Sequence, residues 1–141
     1  MQEIIYSKNE INKVISFLLR KASNSVVVFL NGEIGTGKTF LVSHLLKNLG
    51  VTETITSPTY SIFNEYQTEE INIYHYDLYR IKKAEELMFI DIDENRDNGM
   101  LIIEWPQLAK EYGIQPDIEV TLSCTENFKS RKAQIILYNE N

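Results

Sequence analysis

The apolar positions along the chain follow two spacings, one typical of helices and one typical of strands. Near the start, Ile11, Val14, Ile15 and Leu18 recur every three to four residues, which predicts a helix with one side facing a core. Residues 7–10 in front of it have the serine and glutamate spacing of a capping box. The next apolar run, residues 26–30, is continuous and rich in valine, so it predicts a buried strand.

The rest of the chain continues this alternation of helix and strand patterns. It predicts a helix over 40–49 that ends at Gly50, an antiparallel hairpin of strands 60–66 and 71–76, a helix over 82–92, a turn at Asn98-Gly99, a buried parallel strand over 100–103, and a closing pair of strands over 118–122 and 133–138. We therefore expect one α/β domain over residues 1–141, with helices flanking a sheet that mixes parallel and antiparallel strands.

Residues 32–39, GEIGTGKT, fit the pattern G-x-x-x-x-G-K-[ST] at every fixed position. The segment lies between a predicted strand and a predicted helix, which is the context of a phosphate-binding loop in a P-loop NTPase domain. Glycines allow backbone N–H groups to point at phosphate oxygens, and the helix N-terminus adds partial positive charge. We expect Lys38 to reach the β- and γ-phosphates and the Thr39 hydroxyl to bind Mg²⁺. The predicted nucleotide-binding residues of this segment are Glu33, Ile34, Gly35, Thr36, Gly37, Lys38, Thr39 and Phe40.

A phosphate-binding loop needs a further acid to hold Mg²⁺ or to orient the attacking water. Glu104 follows the predicted strand 100–103, and Asp77 follows the second hairpin strand. Ligands of open α/β sheets gather at the carboxyl ends of strands, so both acids are candidates. His75 shares a strand face with Asp77 and is equally consistent with a structural and a catalytic role. Trp105 lies either in the core or against the nucleotide pocket.

Composition limits the partners of the chain. The net charge is −6, and residues 65–95 contain nine acidic and three basic residues. Such a surface repels phosphate backbones and argues against independent nucleic-acid binding. It suits either a basic partner protein or a solvated face that aids solubility. An Asn-Lys-x-Asp guanine-reading element is not found after the phosphate loop, so ATP is favoured over GTP.

Targeting and membrane signals are weak in this sequence. The sequence has no apolar run near the ~20 residues that cross a bilayer, and its first residues lack the layout of a secretion signal. The single cysteine, Cys124, cannot form an internal disulfide. We therefore expect a cytoplasmic protein that does not contact membranes.

Several short motifs occur together in a fixed order. They are GEIGTGKT at 32–39, SPTY at 57–60, HYDLYR at 75–80, EEL at 85–87 and EWP at 104–106. This ordered set resembles the TsaE family, the ATPase component of the bacterial machinery that makes threonylcarbamoyladenosine in tRNA. The resemblance is dense over residues 26–106. It implies ATP and Mg²⁺ as cofactors, two partner subunits, TsaB and TsaD, and contact with tRNA only through that complex.

The resemblance also implies roles for individual residues. Lys38 and Asp77 would be catalytic, Thr39 and Glu104 would hold the metal, and Arg131 would lie near the nucleotide. Ser57, Pro58 and Thr59 would form a switch-like segment near the γ-phosphate, and residues 7–10 would approach the adenine. ATP binding and hydrolysis would reset the partner complex between turnovers.

Two alternatives remain open from the sequence. A small-molecule or nucleoside kinase also uses a phosphate-binding loop in a compact α/β domain, although an arginine-rich lid is not evident in the second half of the chain. A non-catalytic adaptor would bind ATP and dock a partner without turnover. The presence of both Asp77 and Glu104 favours turnover over the adaptor.

Overall fold

The computed structural model describes residues 1–56, 58 and 62–138. Over these residues the chain forms a single seven-stranded sheet with helices on both faces. The strands are β1 (Gln2–Tyr6), β2 (Val27–Asn31), β3 (Phe63–Gln67), β4 (Asn72–Asp77), β5 (Met100–Glu104), β6 (Ile118–Cys124) and β7 (Arg131–Leu137). The α-helices are α1 (Asn12–Leu19), α2 (Lys38–Asn48), α3 (Ile92–Asn98) and α4 (Gln107–Tyr112), and two 3₁₀ helices span Lys8–Glu10 and Ala84–Ile90.

The sheet has the strand order β1-β7-β6-β2-β5-β4-β3. The four central strands β6, β2, β5 and β4 run parallel, while β3 at one edge and β7 and β1 at the other pair antiparallel with their neighbours. The α/β class, the mixed sheet, the antiparallel hairpin and the closing strand pair are therefore confirmed.

The central strands bury side chains on both faces of the sheet. Along β2, Val28 and Leu30 face a core beneath α1 and α2, while Val27 and Phe29 face a second core. The second core is covered by the 3₁₀ helix Ala84–Ile90 together with α3 and α4. A strand buried on both faces needs apolar residues at every position, which explains its continuous apolar sequence.

Helix α2 ends where its sequence predicted. Gly50 adopts a left-handed conformation (φ 103°), and Val51 N–H donates to the Leu46 carbonyl at 3.0 Å. This closing bond satisfies a carbonyl that the helix end would otherwise leave open. Among the described residues, the helices are too short or too polar for any of them to cross a bilayer.

The segment after the hairpin differs from its prediction. Instead of one helix over 82–92, the 3₁₀ helix Ala84–Ile90 stops at Asp91, whose left-handed backbone (φ 57°) redirects the chain into α3. A regular helix over 82–92 would place Met88 on the same side as Ala84, four residues earlier, but Met88 is 60% exposed. Asn98 ends α3, and Gly99 is extended instead of forming the predicted turn. The eclipsed side chains of a 3₁₀ helix do not follow the 3.6-residue period on which the prediction rested.

Candidate functional site

The loop between β2 and α2 is held by its own hydrogen bonds. The Thr36 hydroxyl donates to the Glu33 carbonyl at 2.7 Å, and Lys38 Nζ donates to the Gly32 carbonyl at 2.5 Å. Helix α2 begins directly at Lys38, so its N-terminus and the loop N–H groups belong to one concave turn. That arrangement suits an anion, because N–H groups and the helix dipole both favour negative charge there.

Gly32 has no room for a side chain. A Cβ atom on Gly32 would lie 2.6 Å from Thr36 Oγ1 and 2.9 Å from the Leu122 carbonyl oxygen, and its φ is 153°. Only glycine therefore fits where β2 turns into the loop.

A cleft of about 300 Å³ opens between the loop and the ends of β4 and β5. It brings together most of the predicted site residues, since its lining consists of Ile34, Gly35, Gly37, Lys38, Thr39, Phe40, Asp77, Glu104 and Trp105. The sheet explains this meeting, because β2, β5 and β4 are parallel neighbours whose carboxyl ends share one edge. Clefts at that edge are the usual ligand sites of such sheets.

The two candidate acids lie opposite each other in the strand register. Asp77 on β4 pairs with Glu104 on β5, and Glu104 is only 3% exposed. Burial raises the pKa of Asp77, and the charge of Glu104 raises it further, while a hydrogen bond from Tyr79 N–H to Asp77 Oδ1 acts in the opposite direction. Two acids at one edge of the cleft concentrate negative charge, which favours the binding of a cation there.

Lys38 supplies one positive charge to this cleft. Burial lowers the pKa of Lys38, and the carboxylates of Glu104 and Asp77 counteract that effect. Its Nζ lies 3.7 Å from the centroid of the Trp105 ring, close enough for a cation–π contact. In this structure the ammonium is thus held by Gly32 and Trp105.

Trp105 has an unusual backbone for a bulky residue, with φ at 55°. This left-handed turn directly after β5 brings the ring over Lys38 and against Tyr79, whose ring centroid is 5.0 Å away. A strained backbone of this kind costs about 1–3 kcal/mol and is typical of functional sites. The sequence left two positions open for Trp105, in the core or at a pocket. In the structure Trp105 lines the cleft.

His75 lies below the cleft and is fully buried. Its Nε2 is 2.5 Å from Glu104 Oε2, so its hydrogen-bond partner is Glu104 and not Asp77, its neighbour on the same strand face. This contact joins β4 to β5 and could not be found from the sequence of either strand alone.

Arg131 lies on the other side of the loop 32–39 from the cleft. Its guanidinium donates to the Gly35 carbonyl at 3.3 Å. Beside it is a second cavity of about 190 Å³, lined by Tyr6, Ser7, Lys8, Ile11, Thr36, Gly37, Phe40, Phe128, Lys129, Ser130 and Arg131. Tyr6 and Phe128 were not predicted as site residues, because neither belongs to a sequence motif.

Of the predicted switch-like segment, Pro58 is buried, while Ser57 and Thr59 lie outside the described residues. The described part of the chain contains no group of three or more His, Cys, Asp or Glu side chains that could enclose a metal ion. The oxygens of Thr39, Asp77 and Glu104 nevertheless fit Mg²⁺, which prefers oxygen ligands and is usually bound by one or two carboxylates together with substrate phosphates.

Comparison with known proteins places this geometry in a family. A solved structure, the crystal structure of Bacillus subtilis YdiB, aligns over 98% of this chain and 88% of its own, with a TM-score of 0.73 and 20% identity, and so shares the α/β fold. A family model described as "Threonylcarbamoyl adenosine biosynthesis protein TsaE" matches residues 5–133. The chain belongs to the TsaE family, and the resemblance found in its motifs is confirmed.

Curated relatives agree with the family model. The protein named "tRNA threonylcarbamoyladenosine biosynthesis protein TsaE" in Rickettsia conorii is 34% identical over 136 residues, which cover 96% of this chain and 78% of that protein. The protein of the same name in Haemophilus influenzae is 34% identical over 113 residues, covering 79% of this chain and 70% of that protein. The family is involved in the biosynthesis of threonylcarbamoyladenosine in tRNA.

Proposed function

We propose that this protein binds and hydrolyses ATP in the threonylcarbamoyladenosine modification of tRNA, and that hydrolysis drives or resets a complex of TsaB and TsaD type subunits. The observation that carries the proposal is the cleft in which Lys38 and Thr39 face Asp77 and Glu104. A phosphate-binding loop opposite two carboxylates supplies a cradle for the phosphates, a ligand for Mg²⁺ and a group that can orient an attacking water.

ATP binding would begin at the loop. Its N–H groups and the start of α2 would surround the β- and γ-phosphates, while Lys38 would leave the Gly32 carbonyl and donate to phosphate oxygens. The exchange is favourable because an anionic phosphate oxygen replaces a neutral carbonyl oxygen as the acceptor of the ammonium. Arg131, bonded to the loop at Gly35, would support the loop from the other side.

The base end of ATP would occupy the second cavity, across the loop from the acids. Phe40 contacts both cavities, and Lys8 lies 5.8 Å from the Phe40 ring centroid. An aromatic wall and a nearby capping segment suit a flat, polar-edged base such as adenine.

Mg²⁺ would be held by Thr39 and Glu104 together with the phosphates, and when bound it would neutralise the charge that develops on the transferred group. Asp77 would orient the attacking water through a hydrogen bond. Burial of Asp77 raises its pKa, which makes its carboxylate a stronger acceptor for a water proton. Trp105 would exclude bulk water from that side of the cleft.

A partner would be needed for fast turnover. Small phosphate-loop proteins hydrolyse ATP slowly until an arginine completes the site, and the guanidinium of Arg131 is bonded to the loop carbonyl of Gly35. We infer slow hydrolysis by this protein alone, in the cytoplasm, and a higher rate in the presence of TsaB and TsaD.

We propose that the acidic segment after the hairpin, residues 85–94, is the docking surface. Glu85 and Glu94 are exposed there, and Met88 and Phe89 are 60% and 78% exposed. Exposed apolar residues on a segment in which acidic residues outnumber basic ones suit a partner surface with basic residues at its rim. Glu86 is a poor choice for mutation, because its carboxylate accepts hydrogen bonds from the backbone of Lys82 and Lys83.

The docking surface can be tested by reversing charge. Glu85→Lys combined with Glu94→Lys should weaken association with the TsaB–TsaD pair and leave ATP binding by the isolated protein intact. Glu3→Lys, on the exposed edge strand β1, is a control that reverses charge away from this surface. Equal association of the two variants would remove this surface from the proposal.

The function itself is tested by measuring ATP hydrolysis by the pure protein, alone and with both subunits, and by quantifying threonylcarbamoyladenosine in bulk tRNA after the protein is depleted. We expect a slow basal rate, a clear stimulation and a fall in the modified base. Normal modification after complete loss, with no second gene copy, would contradict the proposal. Phosphate transfer to a small metabolite without partners would instead favour a kinase.

A further inference from the structure

His75 and Glu104 form a polar pair inside an otherwise apolar part of the sheet. Both are almost completely buried, at 0% and 3% exposure, on strands whose neighbouring residues are core residues. Removing such groups from water is costly, and well-packed apolar residues are often as stable or more stable at such positions. The stability of the fold therefore does not explain why these two residue types are here.

The strand register explains how the two side chains meet. Asp77 lies opposite Glu104, so His75, two residues earlier on β4, lies on the same face and one step deeper, opposite Ile102. Its Nε2 donates to Oε2 of Glu104 at 2.5 Å, because a carboxylate oxygen can only accept. The other ring nitrogen, Nδ1, is buried with no hydrogen-bond partner among the described residues.

The hydrogen bond engages only one of the two carboxylate oxygens. Glu104 also lines the cleft, beside Lys38 and Thr39. With Oε2 held from below, Oε1 is the oxygen that remains for a ligand in the cleft. A fixed carboxylate binds a cation better than a freely rotating one, because the rotation has already been restricted.

We propose that His75 is a positioning residue that holds Glu104 in one orientation, so that Oε1 faces the metal–nucleotide complex in the cleft. This inference rests on the proposed function, since it assumes that Mg²⁺ and ATP bind there. His75 itself does not line the cleft and acts only through Glu104.

A second buried polar pair, Tyr76 on β4 with Asn95 on α3, serves as a structural comparison. Tyr76 donates its hydroxyl hydrogen to the Ile90 carbonyl at 2.8 Å and accepts from Asn95 Nδ2 at 2.7 Å, on the opposite face of the sheet. Neither residue lines the cleft. Tyr76→Phe should therefore lower stability without affecting the metal, whereas a His75 variant should affect the metal.

The experiment measures how much Mg²⁺ strengthens nucleotide binding. Calorimetry with a non-hydrolysable ATP analogue, in excess MgCl₂ and again in EDTA, gives two dissociation constants. The constant in EDTA divided by the constant in MgCl₂ measures how much Mg²⁺ strengthens binding of the analogue. We expect His75→Leu to reduce this ratio about 10-fold or more while the affinity in EDTA stays within about twofold. His75→Gln should retain most of the ratio, because its amide nitrogen is as many bonds from the backbone as Nε2.

A double-mutant cycle assigns the effect to the pair. Glu104→Gln should itself reduce the ratio, and His75→Leu in that background should reduce it no further. If His75→Leu does not fold, His75→Asn replaces it, since its shorter amide cannot reach Glu104 and should behave unlike His75→Gln.

A native ratio in His75→Leu would overturn the proposal. So would a further, equal loss when His75→Leu is added to Glu104→Gln, or equal behaviour of His75→Asn and His75→Gln. A native protein that binds the analogue but does not respond to Mg²⁺ would also overturn it. Failure of the native protein to bind the analogue under either condition is a separate result, which would contradict the proposed function and this inference together.

Discussion

The two walls of the cleft are built in different ways. The phosphate-loop wall comes from one continuous segment, residues 32–39, whose hydrogen bonds connect residues three to six positions apart. The acid wall comes from the ends of β4 and β5, where His75 and Glu104 are 29 residues apart in sequence. One wall is a local structure and the other depends on the register of two strands.

This difference determines what each wall does with charge. The loop presents N–H groups and one ammonium, and so favours an anion. The acid wall presents two carboxylates and so favours a cation or a polarised water. Mutations in the loop should therefore change affinity for the nucleotide, while mutations in the acid wall should change turnover.

The largest expected effect separates the two walls directly. Asp77→Ala and Glu104→Ala should each lower ATP turnover on the order of 100-fold or more, because each removes a preorganised group that acts on metal or water. Their affinity for ATP without metal should stay near native. Steady-state kinetics and calorimetry measure the two quantities.

Glu111→Ala, an exposed glutamate on α4, is the control for those variants and should behave as native protein. Native turnover in either acid variant would give that acid a structural role. A loss of nucleotide affinity equal to the loss of turnover would remove the distinction between the walls.

Lys38→Ala should have the opposite pattern and weaken ATP binding itself. Its ammonium is the charge-assisted donor for the phosphates, so we expect a loss of roughly 1.5–3 kcal/mol or more in binding free energy. Lys47→Ala, at the other end of α2 and exposed, should bind ATP normally. Near-native affinity of Lys38→Ala in calorimetry would contradict the assignment of the phosphate site.

Gly32→Ala tests how tightly the loop wall is built. The new methyl group would meet Thr36 Oγ1 and the Leu122 carbonyl, and overpacking of this kind costs about 1–3 kcal/mol. Gly113→Ala is matched for a positive φ but has open space around its Cβ, so its loss of unfolding free energy should be smaller. Denaturant unfolding compares the two variants, and equal losses would mean that the loop is able to relax.

The smallest effect is a change in fluorescence. Trp105 is the only tryptophan, and its ring contacts the Lys38 ammonium. When Lys38 moves to the phosphates, the charge beside the indole changes, so Mg-ATP should shift the emission peak or change its intensity. The Lys38→Ala variant should not show this change. If the fluorescence of the native protein does not change at saturating ATP, Trp105 does not lie beside the bound nucleotide.

The same division explains how much the sequence could predict. The strand, loop and helix around residues 32–39 depend on neighbouring residues, so the pattern at 32–39 and the glycine at 50 located them closely. Asp77 and Glu104 could be proposed from their place after strands, but their meeting depends on the pairing of β4 with β5. His75 was left open for that reason.

Some elements had no usable local signal. β1 was not predicted because it is short and mostly exposed, and its pairing partner β7 is far along the chain. α4 was not predicted either, since its six residues include only one that is fully buried. The break at Asp91 depends on a left-handed residue that is not a glycine, which sequence patterns rarely reveal.

The pairing of β1 with β7 has a consequence for synthesis on the ribosome. Tyr6 pairs with Arg131, so β1 can pair with β7 only after roughly 125 further residues have been synthesised. At about 5–20 residues per second, this synthesis takes roughly 6–25 s. Tyr6, Ser7 and Arg131 all line the second cavity, so a nascent chain that already contains the complete loop 32–39 still lacks one side of this cavity. Under the proposed function, ATP would therefore meet a complete second cavity only after β7 has been translated.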